Sequence, residues 1–306
     1  MYLVVSDMLF EIEKINCSYT TSKRPVLEIE ELIINKNEVV FIIGPSGVGK
    51  STILETLGLM NDTINSTSSS KFNFYPKKFP IDMRKIWNKK ERELSEMRRL
   101  FFSFIFQSDN LFSSLTGYQN IIASSLIEGA ESNLAKQQAY IVLNDILEDL
   151  NSKDQEDFNI TEMSGGQKQR VSFARAIISN YQVLFADEPT GNLDWYNAEL
   201  LMDYLIKSLE KKDGSSAVIV SHDINLALDF ADKIIYIDKY SEEKNKEEFY
   251  YGKISKDSVF IKCKENGEWN SSKQSYTREK LEKEIKMKFK GDSEKEKIKE
   301  ALYEAN

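Results

Sequence analysis

The segment Val39-Val40-Phe41-Ile42-Ile43-Gly44-Pro45-Ser46-Gly47-Val48-Gly49-Lys50-Ser51-Thr52 narrows the possible folds more than any other part of the chain. Five continuous apolar residues, most of them β-branched, predict a strand buried on both faces, as in a parallel sheet. The residues that follow match G-x-x-x-x-G-K-[ST] at every position, and Lys50 to Leu57 reads as a helix. Glycines let such a loop wrap until successive backbone N–H groups face one point, and the helix adds the positive end of its dipole there. A polyphosphate fits that chemistry. Gly44, Pro45, Ser46, Gly47, Val48 and Gly49 form the cradle, Lys50 bridges the β- and γ-phosphates, Ser51 offers a hydroxyl to Mg²⁺ and Thr52 reaches the α-phosphate. A Gly-rich turn without a ligand is the plainer alternative. The apolar strand before the loop and the helix after it argue against that reading.

A second apolar run, Val183-Leu184-Phe185-Ala186, ends in two adjacent carboxylates, Asp187 and Glu188. At the end of a neighbouring strand, Asp187 would join the Mg²⁺ shell and Glu188 would polarise an attacking water. Two further strands are expected at Ala217–Val220 and at 233–237, and strands alternating with helical stretches predict an α/β fold built on a mainly parallel sheet. Helices are expected over about 89–101, 134–150 and 167–178, and a Ser-rich loop over 62–71. The 41% apolar content is enough for a sizeable core, and the net charge of −8 argues against a nucleic-acid groove. The two cysteines, Cys17 and Cys263, show no metal-ligand spacing and read as thiols in a reducing compartment. The N-terminal stretch lacks a basic region and is broken by Asp7, so no signal peptide is expected. No apolar run approaches the ~20 residues of a membrane span, so a membrane role would come through a partner.

Between the two phosphate-related motifs lies Ser164-Gly165-Gly166-Gln167-Lys168-Gln169-Arg170. It resembles the signature motif of ATP-binding-cassette (ABC) proteins. In physical terms Ser164, Gly165, Gly166 and Gln167 open a helix and would clasp an anion. The resemblance implies that they close over the γ-phosphate held by the opposite subunit, so that two ATP molecules are sandwiched in a dimer. It further implies that Gln107 contacts Mg²⁺ and the attacking water, and that Gly191-Asn192-Leu193-Asp194 links the two active sites. His222, the single histidine of the chain, would contact the γ-phosphate, and Tyr19 would stack on adenine. The catalytic set is then Glu188, His222, Gln107 and Lys50, with Ser51, Gln107 and Asp187 at the metal. One departure is Met163, where the family commonly has Leu; the swap nearly conserves volume. Glu188-Pro189-Thr190-Gly191-Asn192-Leu193-Asp194 is similar to the branch of lipoprotein-releasing, macrolide-exporting and cell-division ABC ATPases.

These readings predict a P-loop NTPase core over 1–240 with a helical signature subdomain at about 100–165. A charged, partly helical extension follows over 241–306. In it Leu281, Ile285 and Phe289, then Ile298 and Leu302, recur at i+4 on either side of Gly291, and Ser293 with Glu296 makes a capping box, which together suggest a helical hairpin. The implied function is an ATP-hydrolysing subunit on the cytoplasmic face of the cell membrane, working as a homodimer with an integral membrane permease. The rivals are a soluble ABC ATPase of translation or repair and an ATP-gated regulatory module. Against the first stand the single phosphate-loop motif and the absence of a cysteine hook. Against the second stand the intact Glu188 and His222.

Overall fold

The computed structural model describes residues 7–19, 24–77, 79–127, 129–146, 159–244 and 247–304. The chain packs as two units, one formed by Met1–Asn88 with Val220–Asn306 and the other by Lys89–Ile219.

The first unit contains a mainly antiparallel sheet whose central strands are Met8–Cys17 and Leu27–Asn35. Their sequences alternate: Phe10 and Ile12 are buried while Glu11 and Glu13 lie between them on the wetter face, which is the period-two pattern of a half-buried sheet. Lys71–Phe74 adds to one side of this pair, with Phe10 stacked on Phe74 at a centroid separation of 4.9 Å. The same unit holds the strand Val39–Ile43, buried along its whole length and parallel to Lys233–Tyr236 in the register Val40 to Lys233. Val259–Lys262 then pairs antiparallel with Lys233–Tyr236, and two short strands at Trp269 and Tyr276 extend that edge.

The tail expected from residue 241 onward therefore supplies strands to both sheets of this unit. Asp238–Lys244 and Glu247–Ile254 form a hairpin, and the second of them runs parallel to Leu27–Asn35. The expected helical hairpin is instead one helix, Arg278–Glu304, with Gly291 inside it. Extending a formed helix adds a hydrogen bond for each residue fixed, whereas stopping and restarting incurs the nucleation cost again; the Lys/Glu-rich flanks favour the first course over the ~1 kcal/mol that one glycine takes away. The i+4 spacing does its expected work in the first half, where Leu281 and Ile285 are fully buried and Phe289 meets Tyr236 edge-on at 5.5 Å. The side chains of Ser293, Glu296, Ile298 and Leu302 lie outside the described residues.

In the second unit Phe102–Ile105 and Val183–Asp187 are parallel neighbours, in the register Ile105 to Ala186. Ser216–Val220 follows on the far side of Val183–Asp187. Packed with these are Glu91–Phe101, Gly117–Ile127, Ser132–Ile146 and Gly165–Ile178. The expected helix over 134–150 is seen as far as Ile146, and residues 147–150 lie outside the described residues. Met163 is buried against Gly117, where even a methyl on the glycine would lie 2.7 Å from the Met163 Cε, so the unbranched thioether fills this position closely.

Candidate active site

In the first unit the phosphate loop has the form its sequence demands. Gly47 and Gly49 sit at φ 75° and 92°, in the left-handed region that a side chain would resist, and Gly49 is the residue from which the helix Lys50–Leu57 starts. Ser46, Gly47 and Ser51 are exposed, whereas Val48 and Gly49 are buried behind them. The Lys50 ammonium turns back on the loop and donates to the carbonyls of Gly44 and Pro45 at 2.9 and 2.7 Å. That places a cation over an exposed, glycine-lined concavity at a helix N-terminus, which is an arrangement for an anion.

Tyr19, two residues past the first strand, is brought to the same loop. Its hydroxyl lies 3.2 Å from Thr52 Oγ1 and donates to Glu55 at 3.1 Å, which anchors the ring to the helix after the loop. Burial pushes the Tyr19 hydroxyl above its ordinary pKa, with the Glu55 carboxylate adding to the effect, so the phenol stays neutral and can donate. His222 is exposed and stands one residue after Ser221, whose N–H bonds the Ile42 carbonyl of the phosphate-loop strand at 3.1 Å. Asp223 then caps the next helix through the Leu226 N–H.

The second unit gathers the other expected residues. The parallel register that sets Ile105 beside Ala186 carries Gln107 and the Asp187–Glu188 pair to the same, C-terminal end of the two strands. Asp187 and Glu188 are half-buried and Gln107 is exposed. Glu188 takes φ 50°, an uncommon left-handed backbone for a residue with a long side chain, and such conformations concentrate where function constrains the chain. Ser164 caps the helix Gly165–Ile178 and forms a capping box with Gln167, while Ser164 and Gly165 remain exposed.

The sequence assigns no role to three residues on that helix, although two of them, Gln169 and Arg170, stand within the motif that opens it. Gln169, almost fully buried, donates to the Glu188 carbonyl at 3.1 Å and accepts from the Asn192 N–H at 3.0 Å. Arg170 reaches Asn197 at 3.2 Å, beside the cap formed by Asp194. Arg175 donates to the carbonyls of Asn110 and Asp109, just beyond Gln107. One helix thus holds the Gln107 segment, the Glu188 turn and the Gly191–Asp194 turn in fixed relation. The sequence signal available for Gln169 and Arg170 is their place in the motif, and Arg175 carries none.

The donors fit the ligands expected of them. The loop has the open glycine at 47, the helix end and the cation that suit a polyphosphate; in the first unit the Ser51 hydroxyl, and in the second the Asp187 carboxylate, are each a hard oxygen of the kind Mg²⁺ prefers. A strand–phosphate loop–helix with an acidic strand end and a serine-capped Gly-Gly helix start defines the class as a P-loop nucleotide-hydrolase cassette. Residues 27–191 match the ABC transporter family. The lipoprotein-releasing system ATP-binding protein LolD of Bacteroides thetaiotaomicron is 37% identical over 202 residues, 66% of this chain and 85% of that protein. The ABC transporter ATP-binding protein YtrE of Bacillus subtilis is 33% identical over 231 residues, 72% of this chain and 90% of its own. The macrolide export ATP-binding/permease protein MacB of a Shewanella species is 37% identical, but the chain spans only 30% of it. A dimeric structure of a post-hydrolysis state of the ATP-binding cassette MJ0796, bound to ADP and Pi, superimposes with a TM-score of 0.60 at 28% identity, covering 74% of this chain and 94% of that one. The chain belongs to the ABC transporter family and is an ATP-binding, ATP-hydrolysing cassette of that family.

Proposed function

We propose that this cassette closes as a homodimer around two ATP molecules and so drives a permease-type membrane subunit from the cytoplasmic face. The observation that carries the membrane partner is the pattern of coverage: the chain spans nearly all of the stand-alone ATP-binding proteins LolD and YtrE but under a third of the combined ATP-binding/permease protein MacB. Among the described residues no helix is long and apolar enough to cross a membrane.

In the proposed cycle Tyr19 stacks the adenine and the amides of residues 44–52 take the phosphates. Lys50 leaves the Gly44 and Pro45 carbonyls for the β- and γ-phosphates, which compensate its charge more fully than neutral carbonyls do. Ser51, Asp187 and Gln107 would hold Mg²⁺, which supplies charge neutralisation to the phosphoryl oxygens. Ser164, Gly165, Gly166 and Gln167 of a second copy cover the γ-phosphate. Glu188 takes a proton from, or orients, the attacking water, and His222 steadies the γ-phosphate as charge develops. Capture of the Glu188→Gln chain from source membranes in the presence of ATP tests the partner. Co-purification of an integral membrane protein is expected, and recovery of soluble partners alone, such as ribosomal or repair proteins, would overturn the membrane role.

A further inference from the structure

The sequence leaves the tail after residue 241 without a role. The structure places part of it directly behind the phosphate loop. Glu247–Ile254 runs parallel to Leu27–Asn35, with Gly252 opposite Leu27 and the Gly252 N–H bonded to the Val26 carbonyl at 2.9 Å. At Gly252 the strand has no room for a side chain. A methyl there would lie 2.5 Å from Ile237 Cγ2 and closer still to the carbonyl oxygen of Val48, in the middle of the phosphate loop. Neighbouring contacts continue the same support. A methyl at Gly44 would meet the Ile237 carbonyl at 2.9 Å, and one at Gly49 would meet Val26 and Leu27 at 3.2 Å. Ile237 is itself fastened to the strand before the loop, its N–H bonding the Ile43 carbonyl at 2.8 Å.

We infer that Gly252 is a positioning residue for nucleotide binding, and that the tail strand Glu247–Ile254 forms the back wall setting the direction of the phosphate-loop amides. The reason lies in peptide planarity. The Val48 carbonyl and the Gly49 N–H belong to one rigid plane and point in opposite directions. A strand that bears on the carbonyl from behind aims the N–H forward, toward the open side of the loop where Ser46, Gly47 and Ser51 are exposed. A side chain at 252 would rotate that plane or lift the strand, because a close-packed interior does not absorb an added methyl without movement. The tail is then part of the nucleotide site rather than an appendage to it.

This inference rests on the reading of residues 44–52 as the nucleotide site, and the test separates the two. Dissociation constants for ATP and ADP are measured by calorimetry on the full chain, on Lys50→Ala, on Gly252→Ala and on Lys71→Ala; the last residue lies on another strand of the same unit, outside the tail, and its side chain pairs with Glu13. Gly252→Ala is expected to weaken both nucleotides roughly tenfold or more, the scale on which sub-ångström to 1 Å misplacements act, with kcat at saturating ATP changed far less than KM. Lys71→Ala should bind as the parent does. Equal affinities for the parent and Gly252→Ala would overturn this inference while leaving the site reading intact. Absence of binding by the parent, or equal binding by Lys50→Ala, would overturn the site reading itself. Should Gly252→Ala not fold, hydrogen exchange on the unaltered chain decides the question. Nucleotide is expected to slow exchange across 249–254, and unchanged exchange there would overturn the inference.

Discussion

Lys233 sits in the strand beside the phosphate-loop strand with its side chain only 2% exposed, and its ammonium is held by Glu38 at 2.6 Å and by the Ile33 carbonyl at 2.9 Å. Glu38 is better placed without its partner: its side chain is 16% exposed, and it also accepts from the Asn35 N–H at 3.0 Å and the Asn35 amide at 2.7 Å. The pair is therefore asymmetric, and so should be the cost of breaking it. Glu38→Met leaves a buried ammonium facing a neutral carbonyl and should cost about 3–5 kcal/mol, the usual penalty for an orphaned buried charge. Lys233→Met keeps the apolar stem, leaves a carboxylate with two donors and some water, and should cost about 1–3 kcal/mol. The double replacement removes both desolvated charges and should cost no more than the milder single change, giving a coupling of about 3 kcal/mol or more in a double-mutant cycle. Urea unfolding followed by circular dichroism, with all four proteins at pH 7, provides the comparison. If Lys233→Met proves as costly as Glu38→Met, or if the double change equals the sum of the singles, the reasoning about this pair is refuted.

Three further outcomes follow from particular contacts. Gln169→Met removes both bonds that hold the Glu188 carbonyl and the Asn192 N–H; kcat should fall by about 10- to 100-fold with KM little changed, and steady-state kinetics showing an unchanged kcat would remove Gln169 from any role in placing Glu188. The Arg84 guanidinium, bidentate on Asp82, holds that carboxyl down to about 2 against the opposing effect of burial. A folded pKa below the unfolded one means stability that is fully present above about pH 4 and lost as pH falls through about 2. Solvent screening of this partly exposed pair reduces the effect, so Asp82→Asn should cost about 1 kcal/mol at pH 7 and about half that at pH 3, as read from urea midpoints at the two pH values. Burial pushes the Cys17 thiol up to about 11, whereas Cys263 is partly exposed. At pH 8 the native protein should release one equivalent of thiol to a disulfide reagent quickly and the second only on unfolding, and two fast equivalents would contradict the burial of Cys17.

Much of the fold could be read from residues because the phosphate loop imposes its own context. A doubly buried strand must be continuously apolar, so Val39–Ile43 and the helix Lys50–Leu57 stand where their composition puts them. The N-terminal antiparallel pair is not among the strands expected from the sequence: Phe10 and Ile12 alternate with charged neighbours, but the period breaks at Lys14, whose φ is 52°, before the buried Ile15. The tail strands are harder to see. In Glu247–Ile254 acidic residues, aromatics and a glycine share one strand, and its pairing with a segment more than two hundred residues earlier is decided by tertiary contact. The same holds within the site. Lys50, Ser51, Asp187 and Glu188 are fixed by chemistry that a motif expresses. Gln169 and Gly252 matter through what they touch; the motif contains Gln169 without giving it a role, and a missing side chain has no local pattern.

In the proposed cycle Glu188, set on a left-handed backbone at the strand end, orients or deprotonates the attacking water of an ATP hydrolase whose phosphate loop is residues 44–52. The most direct measurement is phosphate release by the purified chain alongside Glu188→Gln, with nucleotide binding and molecular mass in ATP followed on the same samples. The expected result is hydrolysis by the parent, a rate at least about 10²-fold lower in Glu188→Gln, ATP affinity retained and a stable dimer in ATP. Hydrolysis by Glu188→Gln at the parent rate would contradict the assignment.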